Sequence, residues 1–216
     1  CKSLRYVKID SLSCTIYQSA FIKCCSLKEI SFACPYQINL AKDAFNGCPR
    51  LHVNIESKIT SINNFLHENM QIKEISLPQS VKKILNYAFI KCSSLEKINI
   101  PEFVDSIGSC AFQDCSSLTE IAIPQSVTEI KQSVFNGCSS LSYINLPQSL
   151  KLIGSNAFCK CSSLSKITIP QSVTIIESYA FSQCSSLKEV IIPQSVTSIK
   201  SYAFNECSSL TKIIIP

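Results

Sequence analysis

The sequence predicts an α/β repeat fold, a right-handed solenoid with a parallel β-sheet on its concave face and short 3₁₀ or helical turns on its convex face. Three residue types recur every 23 positions, which is the signature of stacked coils. Prolines recur at Pro78, Pro101, Pro124, Pro147, Pro170, Pro193 and Pro216, phenylalanines at Phe89, Phe112, Phe135, Phe158, Phe181 and Phe204, and cysteines at Cys92, Cys115, Cys138, Cys161, Cys184 and Cys207.

The repeat reads L-x-x-I-x-I-P-x-S-V-x-x-I-x-x-x-A-F-x-x-C-S-S, and about nine copies fit the 216 residues. Copies within residues 72–216 are regular, whereas those within residues 1–71 are not. From Cys48 to Asn69 the step is 21 residues, and Asn69 takes the place of the cysteine. Because one coil cannot bury its apolar side chains alone, the copies must stack into a single domain covering residues 1–216.

Each coil is predicted to begin with a short β-strand. Leu95, Ile98 and Ile100 alternate with polar residues, as expected for a strand with one buried side. Pro101 ends the strand, because proline has no N–H group to offer a neighbouring strand.

The return half of the coil is predicted to be more compact. Val104 and Ile107 point inward, Ala111 and Phe112 form a short helical or 3₁₀ turn, and Cys115 packs behind the next strand as a small apolar residue. Crossovers between parallel strands are right-handed in nearly all folds, so the solenoid should be right-handed too.

The segment SLKEVIIPQSVTSIKSYAFNECSSL resembles the repeats of the BspA-like leucine-rich-repeat family. The resemblance is nearly residue by residue from Ile72 to Pro216 and looser before it. It implies a leucine-rich-repeat solenoid and a surface protein that binds host-cell or extracellular-matrix proteins. The chain departs from the pattern at Pro35, which is out of register, and at Glu102 and Phe103, which replace Gln-Ser.

Composition excludes several classes of function. The net charge is +5, carried by lysines spread along the chain, with only Arg5 and Arg50 as arginines. This is not the concentrated basic stripe of a nucleic-acid-binding protein. No apolar run approaches the length that spans a bilayer, so no membrane span is predicted in this region.

The cysteines and histidines do not suggest catalysis or metal binding. Identical positions on stacked coils point their Cβ atoms the same way, which opposes disulfide closure, so we expect packed free thiols. Neither Cys24–Cys25 nor Cys159-Lys-Cys161 has zinc-ligand spacing. The two histidines, His52 and His67, stand apart from the repeated serines, and a serine nucleophile needs a nearby base. We therefore predict a protein that is not an enzyme and has no cofactor.

The outward-facing strand positions are the candidate binding residues. One column alternates in charge, and the other becomes apolar towards Ile191 and Ile214, near Tyr143. These columns either bind a protein partner or simply favour the sheet itself, through opposite charges and β-branched residues. The predicted contacts on the concave face are Lys97, Asn99, Glu120, Tyr143, Asn145, Lys166, Thr168, Glu189, Ile191, Lys212 and Ile214.

Alternatives stay open for the end of the array and for the cellular setting. The chain stops at Pro216, directly after a strand, so we expect either a longer array or an end covered by a partner or by end-to-end self-association. Resemblance implies a cell-surface or secreted protein. The alternative is a cytoplasmic interaction module, favoured by the expected free thiols and by the lack of an Asn-x-Ser/Thr sequon.

Overall fold

The computed structural model describes residues 1–11, 13–33, 37–56 and 59–216, and these form a stack of parallel coils. The out-of-register Pro35 lies outside the described residues. A regular coil typically contains a strand with inward-facing apolar residues, which we call a front strand, and a two-residue strand on the return path, which we call a second strand.

The front strands pair in parallel through the stack. They are β1 (Tyr6–Ile9), β3 (Glu29–Phe32), β5 (Leu51–Ile55), β7 (Ile72–Ser76), β9 (Lys97–Asn99), β11 (Glu120–Ala122), β13 (Tyr143–Asn145), β16 (Glu189–Ile191) and β18 (Lys212–Ile214). Hydrogen bonds link β1, β3, β5, β7 and β9 in that order into one sheet. β11 pairs with β13 in a second sheet, and β16 pairs with β18 in a third. An isolated parallel bridge from Lys166 to Glu189 stands where the next front strand would lie.

The second strands were not predicted as strands. They are β2 (Ser13–Ile16), β4 (Gln37–Leu40), β6 (Ser61–Ile62), β8 (Lys83–Ile84), β10 (Ser106–Ile107), β12 (Glu129–Ile130), β14 (Leu152–Ile153), β15 (Ile175–Ile176) and β17 (Ser198–Ile199). They also pair in parallel, for example Ser106 with Lys83 and Ile107 with Ile84. Backbone hydrogen bonds along the stack therefore hold the coils together on two sides.

The prediction of helical or 3₁₀ turns on the convex face is wrong. Around Ala111, the N–H groups of Cys110, Phe112 and Asp114 donate to carbonyl groups of the next coil over 2.7–3.0 Å. Cys110 and Asp114 also have left-handed φ values of 58°. A helix requires successive N–H groups to bond within their own segment, and here every second one bonds along the stack. In the described residues the only helical element is the 3₁₀ helix Asn64–Leu66, in the irregular part.

The phenylalanines form the continuous file that the repeat predicts. From Phe89 to Phe204 neighbouring ring centroids lie 5.1–5.6 Å apart, with interplanar angles of 5–22°. Phe89 to Phe181 are fully buried. Offset stacking at this spacing is a favourable arrangement for aromatic rings, in addition to the apolar area that they bury.

The cysteine file packs beside the phenylalanines. The thiol of Cys115 donates a hydrogen bond to the backbone carbonyl of Phe89 in the preceding coil at 3.1 Å. Cys138, Cys161, Cys184 and Cys207 make the same contact with a phenylalanine carbonyl at 3.1–3.2 Å. Cys92 donates instead to the carbonyl of Leu66, at 3.0 Å. The cysteines of this file are free thiols.

Asn69 is an unfavourable member of this file. Its side chain is fully buried, and neither its Nδ2 nor its Oδ1 has a hydrogen-bond partner in the described part of the chain. A buried polar group without a partner destabilises the folded state, because it loses its hydrogen bonds to water.

We expect Asn69→Cys to stabilise the fold by about 1–3 kcal/mol, since it removes the unpaired amide and restores the repeated residue. The free energy of unfolding from urea denaturation measures the change. The reciprocal variant Cys92→Asn is the matched control and should lose a similar amount. Equal stability of Asn69→Cys and the parent protein would contradict the prediction.

Candidate functional site

The predicted contact residues all lie exposed on the outer side of the front strands. This holds for Lys97, Asn99, Glu120, Tyr143, Asn145, Lys166, Thr168, Glu189, Ile191, Lys212 and Ile214. The inward-facing residue of the middle strands is buried, as Ile98, Ile121 and Ile144 show, whereas Ile213 on the last strand is 40% exposed. The alternation in the sequence therefore predicted this face correctly as a surface, which we call the front face.

The front face contains a groove of about 630 Å³. Four of the predicted residues line it, Lys166, Thr168, Glu189 and Ile191. It lies beside the isolated bridge from Lys166 to Glu189, where the front strand is reduced to one paired position. We call this the front groove.

The front groove has an apolar side and a charged side. Ile191 is 58% exposed and pairs in register with Ile214, which is 36% exposed. Glu189 forms an ion pair with Lys212 at 2.9 Å, and its register partner on the other side is Lys166. Both members of that ion pair are about half exposed, so the pair contributes little to stability.

Tyr143 lies farther from this patch than the sequence suggested. Tyr143 lies on β13 and pairs with Glu120 on β11. The coil that contains Lys166 and Thr168 separates Tyr143 from Ile191. Two coil steps of roughly 4.8 Å put about 10 Å between these rows along the stack. The apolar patch therefore consists of Ile191 and Ile214, and Tyr143 is a separate exposed aromatic residue.

The structure also brings together a serine and a histidine that the 23-residue repeat does not place near each other. The His52 Nε2 lies 2.8 Å from the Ser76 Oγ on the outer side of β5 and β7. A register shift at Leu51 and His52 places this pair diagonally across the two strands, which is why the 23-residue period did not reveal it. The other ring nitrogen of His52 has no hydrogen-bond partner among the described residues, whereas a catalytic triad orients that nitrogen with a third group.

The buried thiols are protonated and unreactive at neutral pH. Burial raises the pKa of Cys92 to about 12 and raises the pKa of Cys115, Cys138, Cys161 and Cys184 well above that of an ordinary thiol. The thiolate is the nucleophilic and metal-binding form. In the described residues no group of three or more His, Cys, Asp or Glu side chains is arranged to hold a metal ion. No helix among these residues is long and apolar enough to cross a membrane.

Sequence comparison agrees with this architecture. The model of the BspA-type leucine-rich-repeat region matches residues 1–39, 38–162 and 106–216, with six copies. The chain belongs to the BspA-type leucine-rich-repeat family. No functionally curated protein matches it.

Two crystal structures of bacterial leucine-rich-repeat proteins share its fold. A leucine-rich cell-surface protein from Faecalibacterium prausnitzii is 23% identical, with a TM-score of 0.50, and the match covers 98% of this chain and 79% of that one. A leucine-rich-repeat protein from Eubacterium ventriosum is 18% identical, with a TM-score of 0.54, and the match covers 94% and 82%. At these identities the similarity supports the fold of the BspA-type chain.

Proposed function

We propose that this BspA-type protein is a recognition scaffold at the cell surface that binds host-cell or extracellular-matrix proteins through the front groove. The observation that carries the proposal is the exposed Ile191 in a groove flanked by Lys166 and Glu189. Apolar residues surrounded by charged ones are typical of protein interfaces.

The mechanism is binding by a surface that is already in place. Hydrogen bonds on two sides and the phenylalanine file fix the coils, so a partner meets an ordered backbone. Little conformational entropy is lost on association with such a surface, which leaves more of the contact energy for affinity. Ile191 and Ile214 would supply the apolar contact, and Lys166 and Glu189 would orient the partner.

Binding to a panel of immobilised matrix proteins (collagen, laminin, fibronectin and fibrinogen) and to intact epithelial cells tests the proposal. We expect the protein to bind at least one of these, and Ile191→Glu with Ile214→Glu to weaken that binding by about 30-fold or more, the effect of losing a 2 kcal/mol hot spot. Thermal stability should fall only slightly, because both side chains are exposed and the two new carboxylates, which face each other across the strand pair, repel by about 1 kcal/mol or less.

Ile22→Glu is the control for added negative charge, since it makes the same substitution once, at an exposed isoleucine outside the front strands. Undiminished binding by the double variant, or equal loss in the control, would show that the front groove is not the binding site. Failure to bind any member of the panel would contradict the choice of partner.

An intracellular interaction module is the second candidate. It is favoured by the free thiols, because cysteines stay reduced in the cytosol. Antibody labelling of intact cells supports the surface proposal, and labelling only after permeabilisation supports the intracellular one.

A further inference from the structure

A second groove runs along the turns that follow the second strands, away from the front face. It consists of two cavities of about 330 and 410 Å³ that share Asn63 and Asn64 in their walls. One extends to Tyr17 and the other to Lys131. The groove spans six coils, and five steps of roughly 4.8 Å make it about 24 Å long. We call it the amide groove.

The walls of the amide groove are polar but almost uncharged. Gln18, Asn39, Asn63, Asn64 and Asn86 supply side-chain amides, and among the described residues Lys131 at one end is the only lysine, arginine or carboxylate in the lining. Binding of phosphate-rich or sulphated chains relies on several cations. A primary amide, in contrast, offers donors and an acceptor at once, which suits the paired hydroxyl groups of a sugar.

Two of the polar groups are fixed in orientation before any ligand binds. The Asn86 Oδ1 accepts a hydrogen bond from the Ser109 N–H at 2.9 Å, which leaves the Asn86 Nδ2 as a donor. Gly108 makes this contact feasible, because a Cβ there would lie 2.6 Å from the Asn86 Oδ1 and 2.4 Å from the Asn86 backbone nitrogen.

The second oriented group is His67. Its Nδ1 contacts the backbone carbonyl of Asn64. A carbonyl only accepts hydrogen bonds, so the Nδ1 must carry the proton, and the Nε2 of the neutral ring is then an acceptor. A fixed donor and a fixed acceptor in one groove reduce the entropy lost when a hydroxyl-bearing ligand is bound.

The groove also has exposed apolar surface. The Tyr17 ring is 76% exposed at one end, and Leu85 is 41% exposed in the other cavity. An aromatic face packs against the C–H side of a sugar ring, while amides bond its hydroxyl groups. We infer that the amide groove binds a neutral oligosaccharide, lying along the stack with a sugar ring against Tyr17 and hydroxyl groups on Asn86 and His67.

An array of neutral, sialylated and sulphated oligosaccharides, followed by calorimetric titration with the neutral glycan that binds best, tests the inference. We expect binding to neutral members. Asn86→Asp should weaken it at least ten-fold, because the carboxylate still accepts the Ser109 N–H bond, so the fold is kept, but the donor is lost. Tyr17→Ala should weaken it at least five-fold without unfolding the protein, since this ring is largely exposed.

Ser178→Ala is the matched control, because Ser178 occupies the position of Asn86 four coils away and outside the groove. The Ile191→Glu and Ile214→Glu variant should keep its glycan binding, which separates this site from the front groove. Three results would each overturn the inference: no neutral glycan bound, binding confined to sialylated or sulphated members, or binding unchanged in both Asn86→Asp and Tyr17→Ala.

Discussion

Above about pH 9, we expect the free energy of unfolding to fall with pH far more steeply than the ionisation of lysines and tyrosines alone would cause. The cause is the file of buried thiols, because burial raises the pKa of Cys92 from 9.0 to about 12 and raises the pKa of Cys115 and Cys161 well above 9.0. Below pH 9 the thiols are protonated in both states, and their contribution is fully present. Above it the unfolded chain releases protons that the folded chain retains, so stability falls as the pH rises towards the folded-state values.

The expected size of this effect is large. Each such thiol removes about 1.4 kcal/mol of unfolding free energy per pH unit between the two pKa values, and five buried thiols together remove about 7 kcal/mol per pH unit. A typical domain is stable by about 5–15 kcal/mol, so unfolding should be complete near pH 11. Urea denaturation followed by circular dichroism between pH 8 and pH 11, under reducing conditions, measures the slope.

Cys138→Ser isolates the contribution of one thiol. The hydroxyl can still donate to the carbonyl of Phe112, which the thiol contacts at 3.1 Å, but it does not ionise. The pH slope should become shallower by about 1.4 kcal/mol per pH unit, whatever the variant's stability at pH 8. Cys25→Ser, which alters an exposed thiol, is the control and should keep the parent slope. Parallel slopes for Cys138→Ser and the parent would contradict the explanation.

The repeat made the core predictable, because each inward position faces the same neighbours in every coil. Val104, Ile107, Phe112 and Cys115 are all fully buried, as the spacing predicted. The convex turn was not predictable in this way. Ala111 and Phe112 are acceptable in a helix, and only the hydrogen bonds between coils, which depend on the stacked structure, override that local preference.

The site features also divide into those that follow from one strand and those that depend on neighbouring coils. Exposure of Glu189 and Ile191 follows from alternation within one strand, so the sequence predicted it. The front groove depends on how neighbouring coils pair at Lys166, and the contact between His52 and Ser76 depends on a register shift. The residue spacing within one coil predicts neither the pairing nor the register shift. Features that depend on contacts between coils could therefore be identified only from the structure.

The second large effect concerns the phenylalanine file. Phe135 is fully buried, and its ring stacks on Phe112 at 5.6 Å and on Phe158 at 5.5 Å. We expect Phe135→Ala to cost about 3–5 kcal/mol, because it removes apolar area and leaves a cavity that the fixed coils cannot close. The free energy of unfolding from urea denaturation measures the loss.

The same variant should also reduce cooperativity, because each coil of a solenoid is stabilised mainly by its two neighbours. Removing Phe135 weakens the coupling between the coils on either side, so we expect a broader urea transition with a smaller m-value, and faster hydrogen exchange in the coils next to the cavity. Phe103→Ala is the matched control, since Phe103 is 60% exposed and its loss should change stability by no more than about 0.5 kcal/mol. If Phe135→Ala and Phe103→Ala lose a similar free energy of unfolding, the stacked file does not hold the coils together. If Phe135→Ala loses much stability but keeps its m-value, the whole stack unfolds as one unit.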